Sequence, residues 1–188
     1  MTDKQKTERP TLYIFFGLIA SGKSTLAELF AQKQGLPYYN TDRVRKELAG
    51  IAANERRPDG MGQGIYTPEF TEKTYQALLG RAILDCKQGA TGVVLDGSYS
   101  TATDRHKVNE VANALGAQTR FFLCSCSEQE TQRRLALRAQ DPNAVSDGRW
   151  EIFVQQKKKF EQPDELAPQQ ITCIDTEEKP ENLLRLVQ

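Results

Sequence analysis

The chain has 188 residues, 38% of them hydrophobic and 27% charged. That balance suits a globular domain with a sizeable core and excludes a disordered, solvated polymer. Lys plus Arg and Asp plus Glu are both 25, for a formal net charge of zero, so no overall basic field speaks for nucleic acid, although a local patch stays open. No run approaches membrane-spanning length, and residues 1–10 are polar, of mixed charge and without the apolar core of a signal peptide; together these predict a frayed tail ahead of a cytoplasmic protein.

Residues 12–16, L-Y-I-F-F, form an apolar run that predicts a short buried strand. The run breaks at Gly17, and the spacing of Leu26, Leu29 and Phe30 predicts a helix. Between them stands Gly17-x-x-x-x-Gly22-Lys23-Ser24, the strand–loop–helix form of a phosphate-binding loop. Glycine lets the backbone curl so that successive N–H groups point inward. A helix starting near Lys23 adds its positive end to the same cavity. The candidate nucleotide-binding residues are Gly17, Leu18, Ile19, Ala20, Ser21, Gly22, Lys23, Ser24 and Thr25. Lys23 can neutralise the β- and γ-phosphates of ATP, and the Ser24 hydroxyl can ligate Mg²⁺.

Gly35-Leu36-Pro37 ends the helix, and residues 38–40 predict a second strand. Thr41-Asp42 offers an N-cap for a helix over residues 43–48. Residues 50–67 are rich in Gly, Pro, Arg and Asn and read as a long functional loop. A helix restarts at residues 67–69, with Pro68 in its first turn, and runs to about residue 87. Residues 93–97 predict a buried strand ending in Asp96 and Gly97. A helix follows to residue 115, starting near Thr103, then a strand over residues 120–126. Ser127 and Glu130 predict a capping box that opens a basic helix through Arg138. After a polar loop over residues 141–148 come a helix at 150–160, a fifth strand at 171–174 and a last helix at 180–187. Strands alternating with helices predict one parallel sheet covered on both faces, a three-layer α/β/α fold.

Ligands of such sheets sit at the carboxyl ends of the strands, and chemistry-bearing residues fall there. Asp42 and Arg45 share a helical turn. The carboxylate could accept a proton from an attacking hydroxyl, and the arginine could hold a phosphate or carboxylate bidentately; a cap and a surface ion pair explain the same residues equally well. Asp96, after an aliphatic run, reads as an acid that holds Mg²⁺ directly or through water, or as the cap of a turn with Gly97. Arg134 and Arg138 share one face of the basic helix, which reads as the start of a lid over residues 133–150, where their charge could stabilise a transferring phosphoryl group, or as a solvated helix face. Arg56 and Arg57 are weaker candidates for substrate contact. Lys157, Lys158 and Lys159 read as a solvated helix face, His106 as exposed, and Trp150 and Phe153 as packing residues. Cys86, Cys124, Cys126 and Cys173 form no C-x-x-C pair and read as reduced and mostly buried, with Cys124 and Cys126 facing the same side of a strand.

G-L-I-A-S-G-K-S-T, N-T-D-R-V-R-K-E-L-A-G, I-Y-T-P-E-F-T-E-K-T-Y and V-V-L-D-G-S-Y together resemble the bacterial P-loop kinases. These are related to polynucleotide 5′-hydroxyl kinase, gluconate kinase and zeta-toxin-like kinases. The resemblance runs from about residue 11 to 166. It implies a nucleoside-kinase-like P-loop NTPase fold with five parallel strands, ATP and Mg²⁺ as cofactors, and γ-phosphoryl transfer to a small-molecule hydroxyl. It also implies catalytic roles for Lys23, Asp42, Arg134 and Arg138, substrate binding by Asp42, Arg45 and Tyr66, metal binding by Ser24 and Asp96, and adenine contacts near Asp175 and Thr176. A polynucleotide 5′-kinase and a nucleotide-dependent ATPase switch are the competing readings. Monomer and dimer are both compatible with the sequence, and no membrane partner is expected.

Overall fold

The computed structural model describes residues 9–55, 62–141, 145 and 149–187. The expected tail up to residue 8 and the candidates Arg56 and Arg57 lie outside the described residues. Five strands, β1 (Thr11–Phe16), β2 (Tyr38–Asn40), β3 (Gly92–Asp96), β4 (Gln118–Ser125) and β5 (Ile171–Asp175), pair in parallel in the order β2-β3-β1-β4-β5. The sequence-predicted sheet is therefore the observed one. The α-helices among the described residues are α1 (Lys23–Gln34), α2 (Thr41–Leu48), α3 (Pro68–Lys87), α4 (Ala102–Leu115), α5 (Glu128–Gln140), α6 (Trp150–Lys159) and α7 (Pro180–Leu183).

The alternation of β1 divides the core. Leu12, Ile14 and Phe16 point to one face, where they pack with Val44 of α2, Leu78 and Ala82 of α3 and Val108 of α4. Phe15 points to the other, against Leu26 and Phe30 of α1 and Leu183 of α7. Phe15, Phe30 and Phe122 contact one another there at tilted ring angles. A third, smaller cluster joins Ile19 and Ala20 to Leu135 of α5 and Phe153 of α6.

Parallel pairing brings every strand's carboxyl end to one edge. Phe15 is level with Asp96, Phe16 with Leu123 and Ser125 with Asp175. The chain crosses from β3 on one side of β1 to β4 on the other, so the loop after β1 stands at the point where strand order reverses, the usual ligand crevice of such sheets.

Local structure departs from expectation in several places. The cap of α2 is Asn40, not Thr41 or Asp42: its Oδ1 accepts from the Arg43 N–H at 3.0 Å. Asp42 is thereby released from capping and sits inside the first turn. Only half of the predicted capping box forms at α5. Ser127 Oγ accepts from Glu130 N–H, but the Ser127 N–H donates to Glu177, and the Glu130 carboxylate turns to Arg133 and Arg134. The helix α4 starts at Ala102 behind a Thr101 cap. The segment after Pro180 splits into α7 and a 3-10 turn, Leu184–Leu186. All four cysteines are free, but only Cys124 is buried; Cys86 and Cys126 are half-buried and Cys173 is exposed. The expected shared strand face of Cys124 and Cys126 fails because β4 ends at Ser125.

Candidate active site

The loop after β1 turns on two glycines. Gly17 adopts φ 139°, and a Cβ there would stand 2.3 Å from the Cys124 carbonyl oxygen of β4. Gly22 adopts φ 80°, and a Cβ would meet the Thr176 hydroxyl at 2.6 Å and Arg134 Nη1 at 2.9 Å. Both places exclude a side chain on backbone angle and on space. Ala20 also takes a left-handed φ of 59°. The loop closes on itself through Ser21 N–H to Leu18 O at 3.2 Å. Lys23 Nζ reaches across it to the same Leu18 oxygen at 3.2 Å.

The back of this loop is fastened to the far side of the sheet. Thr176, just past β5, is buried, and its hydroxyl donates to the Ser21 and Ser125 carbonyls. Arg134 of α5 donates to Ala20 O, to Thr176 Oγ1 and O, and through Nε to Glu130. Sequence reasoning gave Arg134 a free guanidinium for the phosphates. The structure places it behind the loop as a clamp, with Nε, Nη1 and Nη2 all engaged. Thr176, expected near adenine, is likewise committed to the loop's rear wall.

In front of the loop lies a cavity of about 240 Å³. One wall carries Ile19, Ala20, Gly22, Lys23, Ser24 and Thr25. Asp42, Arg45, Tyr66 and Ser98 line the rest of it, with Arg138 of α5 and Gln156 of α6. Of the sequence-predicted residues, Gly17, Leu18, Ser21, Asp96 and Arg134 support this cavity without lining it. Ser98, Gln156, Tyr38, Asn40 and Val145 line it and were not foreseen.

Asp42 enters the cavity with no hydrogen bond or ion pair to the described residues. Its charge acts on Arg138, whose pKa burial holds below the ordinary guanidinium value while Asp42 opposes that shift. Arg45 is only 6% exposed. Its Nη1 donates to Ile65 O at 2.9 Å and Thr71 Oγ1 at 3.0 Å, and the guanidinium lies over the Tyr66 ring. Its Nε is buried and has no partner. Ser98, two residues past Asp96, exchanges a hydrogen bond with the Tyr75 hydroxyl at 3.1 Å, and the same hydroxyl accepts from Tyr99 N–H. This network fixes the Ser98 side chain at the cavity rim; Tyr99 pays for the turn with a non-glycine φ of 38°.

Asp96 lies one layer below, fully buried. Its Oδ2 accepts from the Tyr38 hydroxyl at 2.7 Å and Asn40 Nδ2 at 2.5 Å, whereas its Oδ1 has no partner. Burial, then the charge on Asp96, drive the Tyr38 phenol far above its ordinary pKa, so it stays a donor. The orphan carboxylate oxygen of Asp96 and the hydroxyl of Ser24 in the cavity wall are hard oxygen donors of the kind that suits Mg²⁺. No cluster of three or more His, Cys, Asp or Glu side chains is arranged for a metal among the described residues, so a zinc-type cage is not among the possibilities they offer.

Lys46 of α2 is the least expected feature. It is 0% exposed, and its ammonium donates to the carbonyls of Ala53, Glu55 and Val145. It thus ties the segment after α2 to the segment between α5 and α6. No helix among the described residues is long and apolar enough to cross a membrane.

With this geometry in view, the chain can be set beside known proteins. The AAA domain model AAA_33 matches residues 12–163. Uncharacterized proteins of Mycobacterium tuberculosis and Mycobacterium bovis are 29% identical over 119 residues, 63% of this chain and 24% of their own length. The chain therefore spans about a quarter of the curated relatives it matches. Among solved structures, the Mycobacterium tuberculosis APS kinase in complex with AMPPNP and APS superposes with a TM-score of 0.64 at 19% identity, covering 95% of both chains. A gluconokinase from Sinorhizobium meliloti gives 0.61 at 19% identity, covering 95% of this chain and 89% of that one. Shikimate kinase from Aquifex aeolicus gives 0.57 at 14%, covering 94% and 92%. At such identities the fold is what is shared, and it is the α/β fold of P-loop kinases. Matched from its first strand through the helix that carries Gln156, the chain belongs to the AAA domain family.

Proposed function

We propose that the protein is an ATP- and Mg²⁺-dependent kinase that transfers the γ-phosphoryl group of ATP to a hydroxyl of a small molecule bearing an anionic group. The observation that carries this reading is the shared cavity: the phosphate-binding loop forms one wall, and Asp42 and Arg45 are among the residues that line the rest. The APS kinase, gluconokinase and shikimate kinase that share the fold are named for small acceptors, which agrees with it.

The roles follow from the groups present. The amides of residues 20–25 and the Lys23 ammonium hold the polyphosphate. Ser24 and Asp96 would hold Mg²⁺, whose charge would offset that of the phosphates when bound. Asp42, without a competing hydrogen-bond partner, orients the acceptor hydroxyl and takes its proton as the oxygen attacks γ-phosphorus and the bond to the β,γ-bridging oxygen breaks. Arg138 stabilises the charge on the transferring group from the lid side. Arg45 and Ser98, which both line the cavity, receive the anionic group of the acceptor. Arg134 acts through the loop it clamps.

The test is ADP release measured across a panel of hydroxyl acids, sugar acids, phosphorylated alcohols and 5′-hydroxyl oligonucleotides. Stimulation by an anionic small molecule is expected. Stimulation by oligonucleotides alone would assign a polynucleotide kinase, and turnover indifferent to every acceptor would assign an ATPase switch.

A further inference from the structure

Gln156 belongs to no motif, yet α6 delivers it to the cavity wall. Its Oε1 accepts from the Ile19 N–H at 2.9 Å. A backbone N–H can only donate, so this bond fixes the orientation of the side-chain amide: the carbonyl oxygen faces the loop and the NH₂ group is turned away from it. Among the described residues that NH₂ has no hydrogen-bond partner, and Gln156 is part of the cavity wall. The peptide it grips is the one whose oxygen takes Lys23 Nζ: the Leu18 carbonyl and the Ile19 N–H belong to the same unit. A lysine of this loop type serves the β- and γ-phosphates. The two groups point to opposite edges of that trans peptide, so Gln156 and Lys23 flank it, and both line the cavity in front of the loop, where a terminal phosphoryl group would stand. Phe153, one turn earlier on α6, packs against Ile19 and Ala20 and fixes the reach of the side chain.

We propose that Gln156 donates a hydrogen bond from its side-chain NH₂ to an oxygen of the terminal phosphoryl group of a bound nucleoside triphosphate, which makes α6 sensitive to the presence of that group. The inference rests on the kinase reading. It assigns a neutral donor, placed before the nucleotide arrives, where charge develops during transfer. No bond is made or broken by Gln156 itself.

The experiment compares wild type, Gln156→Ala and Gln156→Glu by calorimetric titration with Mg-ADP and Mg-AMPPNP, with thermal midpoints as a check of folding. Gln156→Glu keeps an acceptor for the Ile19 N–H and loses the donor. The expected result is a fall of about 5- to 20-fold in AMPPNP affinity for Gln156→Ala and a larger one for Gln156→Glu, with ADP affinity within about twofold of wild type in both, on the scale of one lost hydrogen bond to a charged group. Equal losses for the two nucleotides, or AMPPNP affinity restored in Gln156→Glu, would reduce Gln156 to a support of the loop and overturn the proposal. Wild type that binds neither nucleotide would remove the kinase reading and this inference with it.

Discussion

The guanidinium carbon of Arg45 lies 5.0 Å from the centre of the Tyr66 ring. Tyr66 closes a single 3-10 turn, Gly64–Tyr66, and Ile65 of that turn gives its carbonyl to Arg45 Nη1. Arg45 thus orders the approach to the cavity with one nitrogen and keeps its buried Nε uncommitted. Arg45→Lys retains the charge but not the planar fork or the ring contact. It should raise KM for the acceptor found in the panel by about 10- to 100-fold, the scale of a charge-assisted hydrogen bond, while Mg-ADP affinity stays within about twofold. Initial-rate kinetics against acceptor concentration check this, and an unchanged KM would detach Arg45 from acceptor binding.

Asp42 provides the second expectation. Asn40 performs the capping, so Asp42→Asn should not loosen α2. It should cut kcat by about 10²-fold or more if proton removal is its task, with nucleotide affinity and thermal midpoint near those of wild type. Turnover equal to wild type would return Asp42 to the role of a surface acid.

Lys46→Met probes the tie between two segments. The substitution removes a donor shared by three backbone carbonyls while keeping much of the side-chain volume. Leaving such acceptors unsatisfied should cost about 2–4 kcal/mol, which for a chain of this size lowers the melting temperature by about 5–15 °C. Limited proteolysis should cut faster after α2, between Ala53 and Glu55. A melting temperature and cleavage rate equal to wild type would show that the carbonyls find other partners.

The Glu130 clamp gives a pH signature. Hydrogen bonds first from Arg133 and then from Arg134 hold the Glu130 carboxyl down to about 2. Its folded-state pKa lies below the value of about 4.3 expected for the unfolded chain. Its contribution to stability is therefore complete above the unfolded value and is lost as pH falls through the folded one. Denaturation of wild type and Glu130→Gln measured from pH 6 to pH 2 should show a constant gap at the upper end that closes toward the lower. A gap independent of pH would exclude the carboxylate as its source.

What the sequence disclosed was local. The phosphate-binding loop is contiguous, so its glycines, Lys23 and Ser24 declare their chemistry by spacing alone, and the five-strand alternation follows from apolar runs. Asp42 was visible as a candidate, but its release depended on Asn40 taking the cap. Arg134 and Arg138 share a helix face, and nothing in that face tells which one meets Thr176 behind the loop and which one meets the cavity. Lys46 and Gln156 were unreadable for a plainer reason: the Val145 partner of Lys46 and the Ile19 partner of Gln156 lie 99 and 137 positions away along the chain.

The contacts of Thr176 with Ser21 and of Arg134 with Ala20 carry a consequence for protein engineering. The curvature of the nucleotide cradle is inherited from a distant margin of the sheet. Grafting the nine residues from Gly17 to Thr25 onto another strand-and-helix scaffold would transplant the letters without the shape. A working chimera must import the turn after β5 and the first half of α5 along with them.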